Sequence, residues 1–282
     1  MLEWLNHRFP PIVYGVLVAL FVLASQSAAV AYAEQGHLTI RTGVVVYLFF
    51  LHLRILDEHK DFERDILTYP DRALSRGAVT LAQLRWLGVA ALAVELAVAA
   101  SLGAPAFAAW VAAAVFSLLM YAEFGVGAWL NQHILLYAFT HNPVTALVVL
   151  FCILATGAPW RWENLWVIAF SSAVMLAFEV ARKVRLPEEE HAGVPSYTTE
   201  LGQGRARRTL GLIYGASAVF LAGVGTSLGA APLVAALAAG GAVLPGFATT
   251  VGAQPAKRVE GAASLVLLAS LAGVAGGARW LR

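Results

Sequence analysis

Long apolar stretches dominate the chain, and short charged segments separate them. Runs of about 20 apolar residues can be drawn near 12–33, 40–56, 81–102, 105–126, 133–157, 162–181, 208–228, 230–252 and 258–281. Each run is long enough to cross the hydrocarbon core of a bilayer as a helix. The pattern therefore predicts an all-α polytopic membrane protein, a bundle of about nine transmembrane helices.

The composition supports this prediction and excludes several classes of protein. Of the 282 residues, 60% are hydrophobic and only 13% are charged, and the mean hydropathy is +0.72, so the chain is far more apolar than a soluble domain. A net charge of +2 is too small to indicate nucleic-acid binding. The single cysteine, Cys152, excludes an intramolecular disulfide and a cysteine-based zinc site. We therefore expect one integral membrane domain over residues 1–282.

The distribution of basic residues predicts the orientation. If the amino terminus is cytoplasmic, 15 of the 19 Lys and Arg residues lie inside, leaving Arg41, Arg161, Arg279 and Arg282 outside. Cytoplasmic loops carry such an excess. We expect a bacterial inner-membrane protein whose two charged loops, near 57–80 and 182–204, face the cytoplasm.

The segment 54–65 carries an unusual stripe of acids directly after the second apolar run. It reads R-I-L-D-E-H-K-D-F-E-R-D. At about 100° per residue in a helix, Asp57, Glu58, Asp61 and Asp65 share one face, and Glu63 points away. Like charges that close repel unless a cation lies among them, and oxygen ligands at this spacing suit Mg²⁺. The alternative is a solvated turn at the membrane surface with i,i+4 ion pairs.

Basic side chains accompany these acids. We expect four of them to bind an anionic group held by the metal: Arg54, Lys60, Arg72 and Arg76. Pro70 and Gly77 mark a connection between helices. Thr80 is placed to cap the third span.

The motif D-E-x-x-D-x-x-x-D, formed by the four acids of the stripe, is followed by D-R-x-L-S-R-G-x-V-T at 71–80. This resembles the first Asp-rich motif of the UbiA superfamily of intramembrane prenyltransferases, usually N-D-x-x-D-x-x-x-D with a downstream R-P-L-x-S-G-R-x-S. Asp57 stands in place of the Asn and Glu58 in place of the next Asp, and both supply oxygen ligands. The resemblance implies a nine-helix bundle, a cytoplasmic-side active site and an isoprenyl diphosphate substrate.

The second charged loop, 178–202, departs from the family pattern. There the family has D-x-x-x-D or D-x-x-D-x-x-x-D, leading into G-x-x-T-L-P-x-x-L-G, and Gly193, Tyr197, Thr198, Leu201 and Gly202 resemble the closing stretch. Glu189 stands where the resemblance puts the last Asp. Arg182 and Arg185 stand where the family pattern has the earlier Asp residues of the motif.

Two interpretations of this loop remain open. In the first, Glu179 and one of Glu188, Glu189 and Glu190 complete a second metal site, while Arg182, Lys183 and Arg185 bind diphosphate oxygens. In the second, Glu179 and Lys183 form an ordinary i,i+4 pair, and the three glutamates after Pro187 form the first turn of a helix.

Polar and aromatic residues near the fourth and fifth spans are candidates for a substrate pocket. They are Tyr121, Glu123, Phe124, Trp129, Asn131, His133, Tyr137 and His141. Three of them, His133, Tyr137 and His141, have i,i+4,i+8 spacing and would share a helix face. Aromatic rings can stabilise a carbocation through their π faces, and core packing is the alternative for each. Glu95 is a further acid inside a span, with no partner evident in the sequence.

These features together favour an Mg²⁺-dependent enzyme that ionises an isoprenyl diphosphate and transfers the prenyl group to a small acceptor. A membrane terpene cyclase, in which the cation is quenched internally, is the alternative. A permease is a third class, but the acids cluster at one membrane face and transport sites lie near the midplane.

Overall fold

The computed structural model describes residues 1–190, 195–228 and 255–280. We number its α-helices in chain order, and they are α1 (Leu2–Arg8), α2 (Pro11–Ala33), α3 (Ile40–Lys60), α4 (Phe62–Thr68), α5 (Leu81–Ala100), α6 (Ala104–Tyr121), α7 (Gly127–Leu130), α8 (Ile134–His141), α9 (Pro143–Leu154), α10 (Asn164–Ala181), α11 (Tyr197–Leu201), α12 (Gln203–Ser227) and α13 (Ala256–Trp280). Two 3-10 turns lie at Glu123–Gly125 and Pro187–Glu189. The described residues contain no strand, so the predicted all-α class is confirmed.

Seven helical segments of the described chain are long and apolar enough to cross a membrane: α2, α5, α6, α8 with α9 as one span, α10, α12 and α13. The helix α3 has 21 residues and is also long enough, about 30 Å at 1.5 Å per residue. Arg41 near its start and the acids near its end lower its hydropathy. The predicted span 230–252 lies outside the described residues, so the count of nine is approximate.

The helices pack around one apolar core drawn mainly from α2, α3, α6, α9, α10, α12 and α13. Small residues allow close approach between helices in a bilayer. On α12, a Cβ at Gly223 would lie 2.4 Å from a ring atom of Trp166 on α10, so only glycine fits beneath this indole. Close packing at this point therefore depends on a glycine.

The short helix α1 belongs to a second apolar cluster. Trp4 and Phe9 are fully buried there, against Leu51 and Ile55 of α3 and Leu84 of α5. Pro11 at the first position of α2 has no backbone N–H to leave unpaired at the helix start. Helix α1 thus packs across the end of α3 at the polar end of the bundle, and the first long apolar helix, α2, follows it in the chain.

Candidate active site

The acidic segment lies where α3 ends. The helix stops at Lys60 and α4 begins at Phe62, so the stripe predicted on one helix is divided between two. The hydrogen bonds nevertheless continue, because Asp61 N–H donates to Asp57 O and Asp65 N–H donates to Asp61 O, both at 2.9 Å. Asp61 is the junction, with φ −92° and ψ 2°.

The four acids divide into an open pair and a closed pair. The side chains of Asp57 and Asp61 are 49% and 30% exposed. Those of Glu58 and Asp65 are 4% and 14% exposed. Asp61 pairs with Arg64 at 3.0 Å, but that arginine is itself half exposed. The open pair is therefore the more accessible to a ligand, whereas the closed pair is surrounded by protein.

Arginine side chains hold the closed pair. Glu58 accepts a hydrogen bond from Arg8 Nε at 2.6 Å and another from Arg54 Nη2 at 3.0 Å. Asp65 accepts a hydrogen bond from Arg72, and Arg8 Nη2 lies 3.7 Å from it. Sequence reasoning singled out four of these five residues, but not Arg8, which lies 50 residues before Glu58.

The loop between α4 and α5 is fixed by its own contacts. The guanidinium of Arg76 donates to Asp71 O at 2.9 Å and to Glu3 of α1. Thr80 and Gln83 form a reciprocal capping box at the start of α5, as the sequence predicted for Thr80. Arg76 therefore ties α1 to this loop.

Lys60 connects the acidic segment to the predicted pocket. Its ammonium donates to Tyr137 Oη at 2.6 Å. It lies 3.9 Å from Asp57 Oδ1 and 4.0 Å from Glu123 Oε1. A cation at this point faces the open acids on one side and the pocket on the other.

The second charged loop reaches the same ring. At the end of α10, Glu179 pairs with Lys183 Nζ at 2.8 Å and with Arg182 Nη2 at 3.2 Å, so the i,i+4 pair of the structural interpretation is present. Lys183 Nζ lies 5.9 Å from the centroid of the Tyr137 ring, and Lys60 Nζ lies 5.3 Å from it. The two loops therefore meet at Tyr137.

The electrostatics of Arg182 also indicate that several helices converge. The carboxylate of Glu179 raises the pKa of Arg182, burial opposes that shift, and Tyr14, Glu260 and Asp57 raise the pKa further. These groups come from α10, α2, α13 and α3. Asp57 and Glu179, from the two acidic loops, thus act on one guanidinium.

The three glutamates after Pro187 lie elsewhere. Glu189 accepts hydrogen bonds from Leu186 N–H at 3.0 Å and from Ala256 N–H at 2.9 Å, so it caps the amino terminus of α13. Glu190 accepts from Ser196 at 2.6 Å and from Thr198 at 2.5 Å. Glu188 is exposed. Both carboxylate oxygens of Glu189 are engaged away from Glu179.

Other residues of this loop were also predicted to act. Arg185 N–H donates to Thr198 Oγ1 at 3.2 Å, and its guanidinium is partly buried. Within the described residues, Arg185 Nη1 is buried without a hydrogen-bond partner. Gly193, part of the predicted closing stretch, lies outside the described residues.

The first residues of the predicted pocket lie in a strained turn after α6. Glu123, Phe124 and Gly125 all have positive φ, at 47°, 54° and 74°, and such a conformation costs about 1–3 kcal/mol for each non-glycine residue. Glu123 accepts a hydrogen bond from Asn131 Nδ2 at 2.9 Å. The turn directs the carboxylate of Glu123 towards Lys60.

Aromatic rings form the wall beside this turn. Tyr137 and His141 stack with centroids 3.9 Å apart, and the Phe124 ring meets His141 edge to face at 5.5 Å. The prediction that His133 shares their helix face is wrong, because α8 begins only at Ile134. His133 lies against Trp129 at 4.8 Å.

The outer members of the predicted pocket are open. The exposed fractions of Tyr121 and Trp129 are 42% and 53%. The described contacts join neither side chain to the Lys60–Tyr137 centre. Of the predicted pocket residues, Glu123, Tyr137 and His141 therefore lie closest to the centre formed by Lys60 and its contacts.

The intramembrane acid Glu95 has partners that the sequence did not reveal. Its Oε2 accepts a hydrogen bond from Trp110 Nε1 at 3.1 Å, and its Oε1 is hydrogen-bonded to His52 Nδ1, also at 3.1 Å. His52 Nε2 lies 3.0 Å from Ser117 Oγ, which itself donates to Ala114 O at 2.7 Å. This network joins α3, α5 and α6.

The acidic side chains of the two loops determine whether a metal ion fits here. No group of three or more His, Cys, Asp and Glu side chains able to hold a metal is found among the described residues. Asp57, Asp61 and Glu179 are nevertheless partly open carboxylates in the two facing loops. Such a set fits Mg²⁺, which uses one or two carboxylates together with substrate phosphates.

Comparison with known proteins adds independent information. A search of curated protein sequences finds no match. A UbiA homologue from Archaeoglobus fulgidus aligns with a TM-score of 0.65 at 13% identity, over 97% of this chain and 99% of that one. A UbiA homologue from Aeropyrum pernix K1 aligns with a TM-score of 0.64 at 16% identity, over 93% and 98%.

The A. fulgidus homologue bound to DMAPP and Mg²⁺ aligns with a TM-score of 0.57 at 14% identity, over 93% of this chain and 98% of that one. At such identities these likenesses establish the fold. The family model for the UbiA prenyltransferase family matches residues 16–271, nearly the whole chain. The protein therefore belongs to the UbiA prenyltransferase family.

Proposed function

We propose that this protein is an Mg²⁺-dependent intramembrane enzyme that ionises an isoprenyl diphosphate and transfers the prenyl group to a small acceptor. One observation carries the proposal: Lys60 and Lys183, each paired with an acid of a different loop, both approach the ring of Tyr137. Solved UbiA homologues from A. fulgidus hold DMAPP with Mg²⁺ and GPP with Mg²⁺, which supports this substrate class.

Three carboxylates would hold the metal: Asp57, Asp61 and Glu179. Each is at least 30% exposed. Asp57 lies near Lys60 and Glu179 near Lys183, and Asp61 pairs with Arg64. A bound Mg²⁺ supplies Lewis-acid stabilisation of the leaving diphosphate. The carboxylates fix its position relative to the basic residues.

The basic residues would act on the diphosphate itself. When the allylic C–O bond breaks, the diphosphate leaves with the bonding electron pair, and negative charge grows on its oxygens. Lys60, Arg182 and Lys183 place three cations around the cleft where that charge develops. Fixed cations in a site with little water stabilise such a transition state strongly.

The allylic cation would lie beside the aromatic wall. The rings of Phe124, Tyr137 and His141 contact one another, and the π faces of such rings attract cations. The apolar bundle below accommodates the hydrocarbon chain and excludes water, which would otherwise capture the cation. Glu123 and Asn131, hydrogen-bonded to each other, offer polar groups to an acceptor.

We also propose that this polar end faces the cytoplasm of a bacterial inner membrane. The support is the positive-inside distribution, 15 of the 19 Lys and Arg residues on that side. Soluble isoprenyl diphosphates would then reach the site directly.

Terpene cyclisation is the second candidate. The aromatic stack of Tyr137 and His141 favours it, because a cyclase must stabilise a cation through several positions without an acceptor. The same metal and diphosphate residues would serve both reactions. The two functions differ only in what captures the cation.

Purified protein with Mg²⁺ separates these functions. Geranyl, farnesyl or geranylgeranyl diphosphate is supplied first without and then with a panel of aromatic and lipid acceptors. Prenylated product formed only with an acceptor supports the transferase, whereas a cyclic hydrocarbon or alcohol formed without one selects the cyclase. No turnover with any chain length and any acceptor contradicts both.

A further inference from the structure

The acids that the sequence places in one motif differ in what they contact. Glu58 is 4% exposed, and its Oε1 is bonded to Arg8 at 2.6 Å and to Arg54 at 3.0 Å. Asp65 is 14% exposed and is bonded to Arg72, with Arg8 3.7 Å away. A carboxylate in this state has its charge balanced by fixed guanidinium groups.

The segment that supplies Arg8 is firmly anchored. Trp4 is 1% exposed and Phe9 is fully buried, so Arg8 lies between two buried aromatic residues. Phe9 stacks on Tyr14 of α2 with ring centroids 4.0 Å apart. Glu3 also pairs with Arg76 beyond α4. Arg8 is therefore held in place independently of the acids it binds.

Glu58 of the closed pair also faces a different part of the molecule from the open pair. Glu58 lines a polar cavity of about 460 Å³ together with Trp4, Arg8 and Arg72. Asp57 and Asp61 do not line that cavity. Asp57 instead lies near Lys60, on the side of Tyr137 and Glu179.

We propose that Arg8 is a positioning residue of the diphosphate site. It binds Glu58 and Asp65 and so fixes the junction between α3 and α4, which presents only Asp57 and Asp61 to a metal ion. The inference rests on the proposed function, and it narrows the first metal-binding segment from four acids to two. Glu58 and Asp65 are assigned as anchors of α1.

The first test measures thermal unfolding of the purified full-length protein, with and without Mg²⁺ plus inorganic pyrophosphate. Glu58→Gln and Asp65→Asn are expected to lower the midpoint in the absence of metal and to keep at least half of the rise that Mg²⁺ and pyrophosphate produce. Asp57→Asn is expected to keep the metal-free midpoint and to lose that rise. Loss of the rise in Glu58→Gln or Asp65→Asn overturns the assignment of these acids.

A charge reversal tests the pair itself and needs no metal. Arg8→Glu is expected to destabilise the protein, and the double variant Arg8→Glu with Glu58→Arg is expected to recover at least half of the lost midpoint. Lack of recovery overturns the Arg8–Glu58 contact. Arg76→Gln, which removes the contacts with Glu3 and Asp71 O but leaves Arg8 and Glu58 unchanged, is the matched control.

Kinetics distinguish positioning from simple support of the fold. Arg8→Gln is expected to lower kcat about tenfold or more with less than a threefold change in KM, and Arg8→Lys, which keeps the charge, is expected to recover part of kcat. Wild-type kcat in Arg8→Gln overturns the positioning role. Absence of turnover in the wild type contradicts the proposed function, while the two unfolding tests still decide the role of Arg8.

Discussion

The buried network around Glu95 gives a prediction whose size follows from its contacts. In Glu95→Ala, His52 loses a hydrogen bond of 3.1 Å and Trp110 Nε1 loses its acceptor. The side chain of Glu95 is fully buried. Leaving a buried hydrogen-bonding group without its partner costs about 1–3 kcal/mol in soluble proteins, and two such groups lose their partner here. Interhelical hydrogen bonds in membranes average about 0.6 kcal/mol.

We therefore expect Glu95→Ala to destabilise the bundle by about 2–4 kcal/mol, between these two limits. Glu95→Gln keeps the volume and the acceptor for Trp110, so it should cost about 1 kcal/mol. The assay is thermal unfolding in detergent. Leu96→Ala, on the exposed neighbouring position, is the control and should have little effect, because lipid replaces the lost contacts.

A double-mutant cycle tests whether His52 and Glu95 are energetically coupled. If Glu95→Ala is costly because it leaves the buried His52 without its hydrogen-bond partner, then His52→Ala in the Glu95→Ala background should cost much less than in the wild type. Strict additivity of the two substitutions would contradict the coupling of these two side chains. So would an unchanged midpoint in Glu95→Ala.

Two further predictions concern contacts between distant segments. Lys60→Met should lower kcat about 100-fold, because it removes a cation beside the developing diphosphate charge. Steady-state kinetics should show a smaller change in KM, and an unchanged kcat would refute this role. Glu189→Gln should lower the midpoint of thermal unfolding by a few degrees and leave kcat unchanged, because Glu189 caps α13 through Ala256 N–H. Loss of Mg²⁺-dependent activity in this variant would instead indicate that Glu189 is a metal ligand.

The sequence predicted the architecture because membrane helices follow from apolar length alone. It also predicted the first acidic motif, whose residues are close in sequence. The Thr80 cap was likewise a local feature. Helical periodicity is sufficient for such local relations.

Long-range contacts were not predictable in this way. Arg8 lies 50 residues from Glu58, and Tyr137 lies 77 residues from Lys60. No spacing rule joins residues so far apart. The left-handed turn at Glu123 also carries no helix-breaking proline that would have indicated it. The division of the acids into open and closed pairs depends on these contacts, so it required the structure.

The second loop shows how ambiguous local patterns are resolved. The sequence predicted that Glu179 and one of the glutamates at 188–190, such as Glu189, would together complete a second metal site. The structure joins Glu179 to Lys183 near Tyr137, but it joins Glu189 to Ala256. Only the packing of α13 against the loop separates these two acids.

The central claim is that two acidic loops hold Mg²⁺ for the ionisation of an isoprenyl diphosphate. The most direct measurement is the release of diphosphate from geranylgeranyl diphosphate by the purified protein, in Mg²⁺ and in EDTA. We predict release only with Mg²⁺, a reduction of about 100-fold or more in Asp57→Asn and in Glu179→Gln, and near wild-type release in Glu63→Gln, an exposed acid of the same segment. Release that persists in EDTA, or that is unchanged in both loop variants, would contradict the account.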